Sequence, residues 1–106
     1  MAEAYRIEHA AIPGEGHVTR VEVNGTPVAV FRVGGKLYGL DARCTHVGGP
    51  LDKGSIAGSH VTCPWHRSVF DVTDGHVVQG PANRPATPYR VVQEGTALVI
   101  ERTDGL

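Results

Sequence analysis

Two glycine-bearing turns, spaced one strand apart, restrict this chain more than any other feature. Asn24-Gly25 separates Val18–Val23 from an apolar run over Thr26–Val33, and Gly34-Gly35 separates that run from Lys36–Leu40. Asn-Gly and Gly-Gly supply the positive φ at both central positions that the tightest two-residue hairpin turns require. Within the first segment Val21 and Val23 share one face, with Arg20 and Glu22 on the other, which is the alternation of a half-buried strand. Three antiparallel strands in a meander follow. A second hairpin is predicted where Glu94-Gly95 separates Tyr89–Gln93 from Thr96–Glu101.

Between these sheets runs a long stretch, from Asp41 to Pro88, punctuated by Gly48-Gly49-Pro50, Gly54, Gly58, Asp74-Gly75, Gly80-Pro81 and Pro85. Short strands are expected around His60–Thr62, Ser68–Val72 and His76–Val78. No segment carries a helical apolar period with caps. With 14 glycines and 7 prolines in 106 residues, the fold class is all-β, in one domain spanning 1–106.

Charge excludes some partners. A formal net charge of −1 gives no basic field for nucleic acid or for an anionic membrane surface. No apolar run approaches the roughly 20 residues of a spanning helix, and MAEAYRIEHA is too polar and mixed in charge for a secretory signal. The expectation is a cytoplasmic monomer.

The chemistry sits in Cys44-Thr45-His46 and Cys63-Pro64-Trp65-His66. Each segment lies in a loop and offers one thiolate and one imidazole, so two such loops brought together can surround a small metal centre. A Cys44–Cys63 disulfide would leave unexplained why a histidine follows each cysteine within three residues. Tetrahedral zinc also accepts two cysteines and two histidines. Structural zinc usually pairs cysteine with cysteine and histidine with histidine, however, whereas both segments here are mixed. The mixed order favours a [2Fe–2S] centre in which two histidines replace two cysteines on one iron. With two ferric ions, two sulfides and two thiolates the oxidised core is neutral. A four-cysteine core is two charges more negative, so histidine ligation makes electron uptake easier.

CTHVGGPL at 44–51, with CPWHRSVFD at 63–71, closely resembles the Rieske family, and the likeness extends through the strand-rich flanks and Gly80-Pro81. It is most similar to small bacterial Rieske ferredoxins of aromatic-ring dioxygenase systems. The resemblance implies stacked antiparallel sheets with two cluster loops at one tip. It places Cys44 and Cys63 on the inner iron, His46 and His66 on the outer iron, and a proline loop at 80–85 (with Pro81) over the cluster from a third side. It also implies a one-electron carrier rather than an enzyme, docking transiently with a ferredoxin reductase and a terminal oxygenase. A small subunit of another redox enzyme, such as an assimilatory nitrite reductase, is the alternative role. With the stretch beyond His66 spent on strands, the second iron domain of an oxygenase is not expected.

Departures from the family pattern carry information. Cytochrome-complex members bridge the two loops with a disulfide where this chain has Gly49 and Trp65. They also direct a serine and a tyrosine hydroxyl toward the cluster sulfurs. Ser68 matches the serine, while Phe70 stands in the tyrosine position, so one donor is lost and the potential is expected near the low Rieske end, about −150 mV. Arg67 replaces a residue that is usually glycine, and is read as a solvated side chain. Trp65 is expected to act as an apolar plug, the alternative being a shield over the cluster that forms part of a docking face. His9, His17, His60 and His76 lack partners at ligand spacing, and Asp41, Asp52, Asp71 and Asp74 read as turn residues.

Overall fold

The computed structural model describes residues 4–45, 48–65 and 67–102. Its strands are β1 (Ala4–Ile7), β2 (Val18–Val23), β3 (Thr26–Val33), β4 (Lys36–Asp41), β5 (Ser55–Ala57), β6 (His60–Thr62), β7 (Val69–Asp71), β8 (Val77–Gln79), β9 (Pro88–Glu94) and β10 (Ala97–Arg102), with one 3₁₀ turn at Leu51–Lys53. All pairings are antiparallel. The larger sheet has the order β1-β10-β9-β4-β3-β2 and the smaller one β5-β6-β7-β8.

The meander forms where the turns place it. Val23 pairs with Thr26 and Val33 with Lys36, so both loops contain two residues. Asn24 and Gly25 have φ of 52° and 83°, and Gly34 and Gly35 have 61° and 79°, as the favoured hairpin geometry demands. The uniform apolarity of β3 also has a cause: this strand is buried on both faces. Val28 and Val30 point into a core with Val21, Val23, Tyr89, Val91, Leu98 and Ile100. Ala29 and Phe31 point into another, shared with Leu40, Leu51, Val61, Cys63, Phe70 and Val72. Successive residues of a strand face opposite ways, so a two-sided strand has no polar face to alternate with.

Three expectations need correction. The sequence does not announce β1. With only Tyr5 and Ile7 packed inward, its own signal is weak, and it is held as an edge strand by pairing with β10 from Ala4↔Glu101 to Ile7↔Leu98. β5 contains a single apolar residue of any size, Ile56, and exists through its pairing with β6. In the last hairpin Glu94 pairs with Ala97, so the turn is Gly95-Thr96 rather than Glu94-Gly95, with φ of 63° at Gly95.

A carboxylate braces the second hairpin. Glu15 accepts the N–H of Gly34 at 2.7 Å and of Gly35 at 2.8 Å, and these two backbone bonds hold its carboxyl below the usual 4.5. A carboxyl whose folded pKa is depressed adds stability above its unfolded value, and loses it as pH falls through the folded one. Urea midpoints of the native chain and Glu15→Gln are therefore expected to differ at pH 7, with the variant lower, and to converge in acid below the ordinary carboxyl range.

Candidate metal centre

The first cysteine loop leaves β4 at Asp41 and folds back on itself. Ala42 N–H donates to Pro27 O at 2.9 Å, Cys44 N–H to Gly49 O at 2.8 Å, Gly48 N–H to Cys44 O at 2.7 Å, and Leu51 N–H to Ala42 O at 2.7 Å. The second loop joins β6 to β7 and is closed by Cys63 N–H donating to Ser68 O at 2.8 Å. Both cysteines are free thiols and buried, which removes the disulfide alternative. Cys44 is 3% exposed and Cys63 is fully buried. The Cys44 thiol lies within hydrogen-bonding reach of the Cys63 thiol. Burial, and after it the neighbouring Cys44 thiol, push the Cys63 thiol above its ordinary value, against an opposing backbone hydrogen bond at Trp65.

The loops touch at Gly49. A Cβ placed there would stand 2.8 Å from Cys63 Sγ and 3.1 Å from both Cβ and Cγ of Trp65. Bridged cysteines have Cβ atoms about 3.5–4.5 Å apart, so positions 49 and 65 face each other as their resemblance to a bridged pair implies. Here the glycine lets the Trp65 side chain lie against the first loop. Trp65 is 51% exposed, which corrects the plug expectation: the indole covers the loop junction but stays in solvent.

A third loop ties down the other two. Gly80–Pro81 is cis, and Pro81 is exposed while the next residue, Ala82, is buried. The Ala82 N–H donates to Ser68 Oγ at 2.9 Å. Thr45 Oγ1 donates to Arg84 O at 2.7 Å, and the Arg84 guanidinium reaches back to Thr45 O at 3.4 Å. Backbone partners of this kind leave no signature in a sequence. Ser68 is fully buried. A hydroxyl has one proton and two lone pairs, so accepting from Ala82 leaves its proton to donate. Phe70 is fully buried with Cys44 and Cys63 in the core between the sheets and brings no hydroxyl.

His46 and His66 lie outside the described residues. Among the described residues no three potential metal-binding side chains converge. His9, His17, His60 and His76 are exposed, as expected; His76 Nδ1 lies 2.6 Å from Asp74. Asp41, Asp71 and Asp74 accept the N–H two residues ahead, from Arg43, Thr73 and His76 respectively, which is the turn chemistry expected of them. Asp52 departs from this. Its Oδ1 is buried without a hydrogen bond and faces Arg20 at 3.7 Å.

Arg67 has φ of 64°, in the left-handed region that costs a residue with Cβ about 1–2 kcal/mol. Glycine would adopt it freely, while losing about 0.5–1 kcal/mol more chain entropy on folding. Arg67→Gly is therefore expected to stabilise the protein by about 0.5–1 kcal/mol, an upward Tm shift of about 2–8 °C. A fall in Tm would show that the side chain makes compensating contacts.

Antiparallel sheets with two cysteine loops pressed together at one tip define the class: β proteins that present a dry pair of thiols from separate loops. Comparison with known proteins narrows it. The Rieske [2Fe–2S] domain family matches residues 4–101, and the chain belongs to that family. It is similar to the ferredoxin component of the naphthalene 1,2-dioxygenase/salicylate 5-hydroxylase systems of a Ralstonia species, 32% identical over 87 residues, which cover 82% of this chain and 84% of the relative. Among solved structures, the ferredoxin of carbazole 1,9a-dioxygenase from Nocardioides aromaticivorans IC177 superposes with a TM-score of 0.81 at 30% identity, covering 90% of this chain and 95% of that one. A chain in a complex of reduced oxygenase and oxidised ferredoxin in carbazole 1,9a-dioxygenase gives 0.81 at 28% identity, with 92% and 91% covered.

Proposed function

We propose that this chain is a single-domain, one-electron carrier of the cytoplasm, holding one [2Fe–2S] cluster through Cys44, His46, Cys63 and His66. It takes electrons from a ferredoxin reductase and passes them to a terminal oxygenase, without catalysis of its own. The observation that supports this best is the pair of adjacent buried thiols, Cys44 and Cys63, on two loops pressed together at Gly49. Soft sulfur donors in a dry site suit iron–sulfur chemistry. Relatives named as ferredoxin components of dioxygenase systems, and a ferredoxin solved together with its oxygenase, support the partner class.

When bound, the cluster supplies a reversible one-electron couple; the chain supplies everything around it. Leu51, Val61 and Phe70 exclude water behind the thiols. The Ser68 hydroxyl, fixed by Ala82 N–H, holds one proton available to a sulfur acceptor. The Thr45–Arg84 and Ser68–Ala82 bonds join three loops into one unit, so little has to rearrange when charge changes. Among the described residues no helix is long and apolar enough to cross a membrane.

Redox titration of the purified protein, followed by visible absorption, tests the reading. The expected result is one reversible one-electron wave near the low Rieske value, about −150 mV. A colourless protein containing zinc and showing no wave would overturn it.

A further inference from the structure

With the tip bearing Trp65 taken as the docking face of this carrier, we propose that it fits an acidic partner, one presenting carboxylates around an apolar recess for the indole. The inference rests on the carrier reading and adds to it the sign and shape of the partner surface. Trp65 is the only tryptophan of the chain. It is half-exposed, yet its Cβ and Cγ lie against Gly49, so it is an aromatic anchor already held in place, and little freedom is lost when a partner covers it.

Charge at the tip is segregated. The loops 41–54, 63–68 and 80–87 carry four cations, Arg43, Lys53, Arg67 and Arg84, and two carboxylates, Asp41 and Asp52. Both carboxylates are withdrawn from solvent, at 15% and 10% side-chain exposure, and Asp41 is turned onto Arg43. All four cations are exposed. Among the described residues Lys53 and Arg67 pair with no carboxylate, and Arg84 bonds the backbone of Thr45. Of the exposed carboxylates, Glu8, Glu15 and Glu94 lie on the larger sheet and its approach loops, Glu22 is held by Arg20, which also reaches Asp52, and Asp74 in the turn after β7 is held by His76. In a chain of net charge −1, the three loops around the thiols thus carry exposed cations and, among the described residues, no exposed carboxylate. Arg67 adds an independent sign. It occupies a left-handed position that glycine would take without strain, and a strained residue kept beside a site points to use there.

Cytochrome c is a suitable probe, because succinylating its lysines converts a basic face to an acidic one around the same heme. In each encounter one electron passes from the reduced carrier to ferric heme, leaving oxidised carrier and ferrous heme, with no bond or proton transferred. Stopped-flow oxidation of the dithionite-reduced holoprotein is expected to be faster with the succinylated acceptor, by about tenfold at low ionic strength. That advantage should shrink as salt shortens the screening length from about 30 Å at 0.01 M to about 8 Å at 0.15 M. The double variant Lys53→Glu/Arg67→Glu should reverse the preference while keeping the visible spectrum. Trp65→Ala should slow both acceptors and leave the salt dependence in place. Preference of the native chain for basic cytochrome c, as its net charge alone dictates, would overturn the proposal, as would a double variant with unchanged preference. A protein without iron or colour would instead remove the carrier reading, and this proposal with it.

Discussion

Phe70→Ala is expected to destabilise the protein by about 3–5 kcal/mol, the usual range for emptying a buried phenylalanine site. Phe70 is fully buried in the core between the two sheets, with Phe31 and Leu40 of the larger sheet, Val61 of the smaller and Val72 just after β7. It also pairs with Val61 in the β6–β7 ladder, so the cavity would open beneath the second cysteine loop. Domains of this size have about 5–15 kcal/mol in total, and the loss is a large part of that. The apparent Tm should fall by at least about 12 °C, with iron lost at lower temperature than in the native chain. Trp65→Ala is the contrast: half-exposed, that aromatic should cost no more than about 1 kcal/mol. Equal losses from the two substitutions would show that the second loop is held by Trp65 rather than by the core beneath it.

What the sequence made legible follows from where each signal is stored. Two-residue turns store theirs locally, so Asn24-Gly25 and Gly34-Gly35 place both turns of the β2-β3-β4 meander to the residue. The mixed cysteine–histidine spacing likewise marks both loops. Edge strands store theirs in the partner: β1 is carried by its register with β10, and nothing in AYRI announces it. The third loop is legible only in part. Gly80-Pro81 marks a turn, but the bonds that tie it down run to the Thr45 and Ser68 side chains from the Arg84 carbonyl and the Ala82 N–H. Any residue but proline would offer the same N–H at position 82. The positive φ of Arg67 is foreshadowed only by the glycine that usually stands there in the family, since arginine itself gives no hint of it.

Cys63→Ser is expected to abolish cluster binding, with loss of the visible absorption and of bound iron, while the far-ultraviolet spectrum keeps its β character at low temperature. Serine is nearly isosteric, so packing against Gly49 survives, but a hard alkoxide donor is a poor substitute for a soft thiolate on iron. The change also places a hydroxyl in a fully buried site, at about 1–3 kcal/mol unless it finds a partner. A site absent from the unfolded chain turns binding free energy into folding free energy, so losing the cluster should lower the apparent Tm well beyond the hydroxyl penalty. The native thiol carries one further consequence. Because burial raises its pKa above the ordinary 9.0, protons compete with iron for Cys63 more strongly than for a free cysteine. Assembly must expel that proton, and the initial rate of reconstitution with ferrous iron and sulfide should rise with pH from about 7 to 9. A rate flat across that range would mean that the thiol is already ionised before iron arrives. Retention of a full complement of iron by Cys63→Ser would exclude Cys63 as a ligand, and with it the pairing of the two loops around one centre.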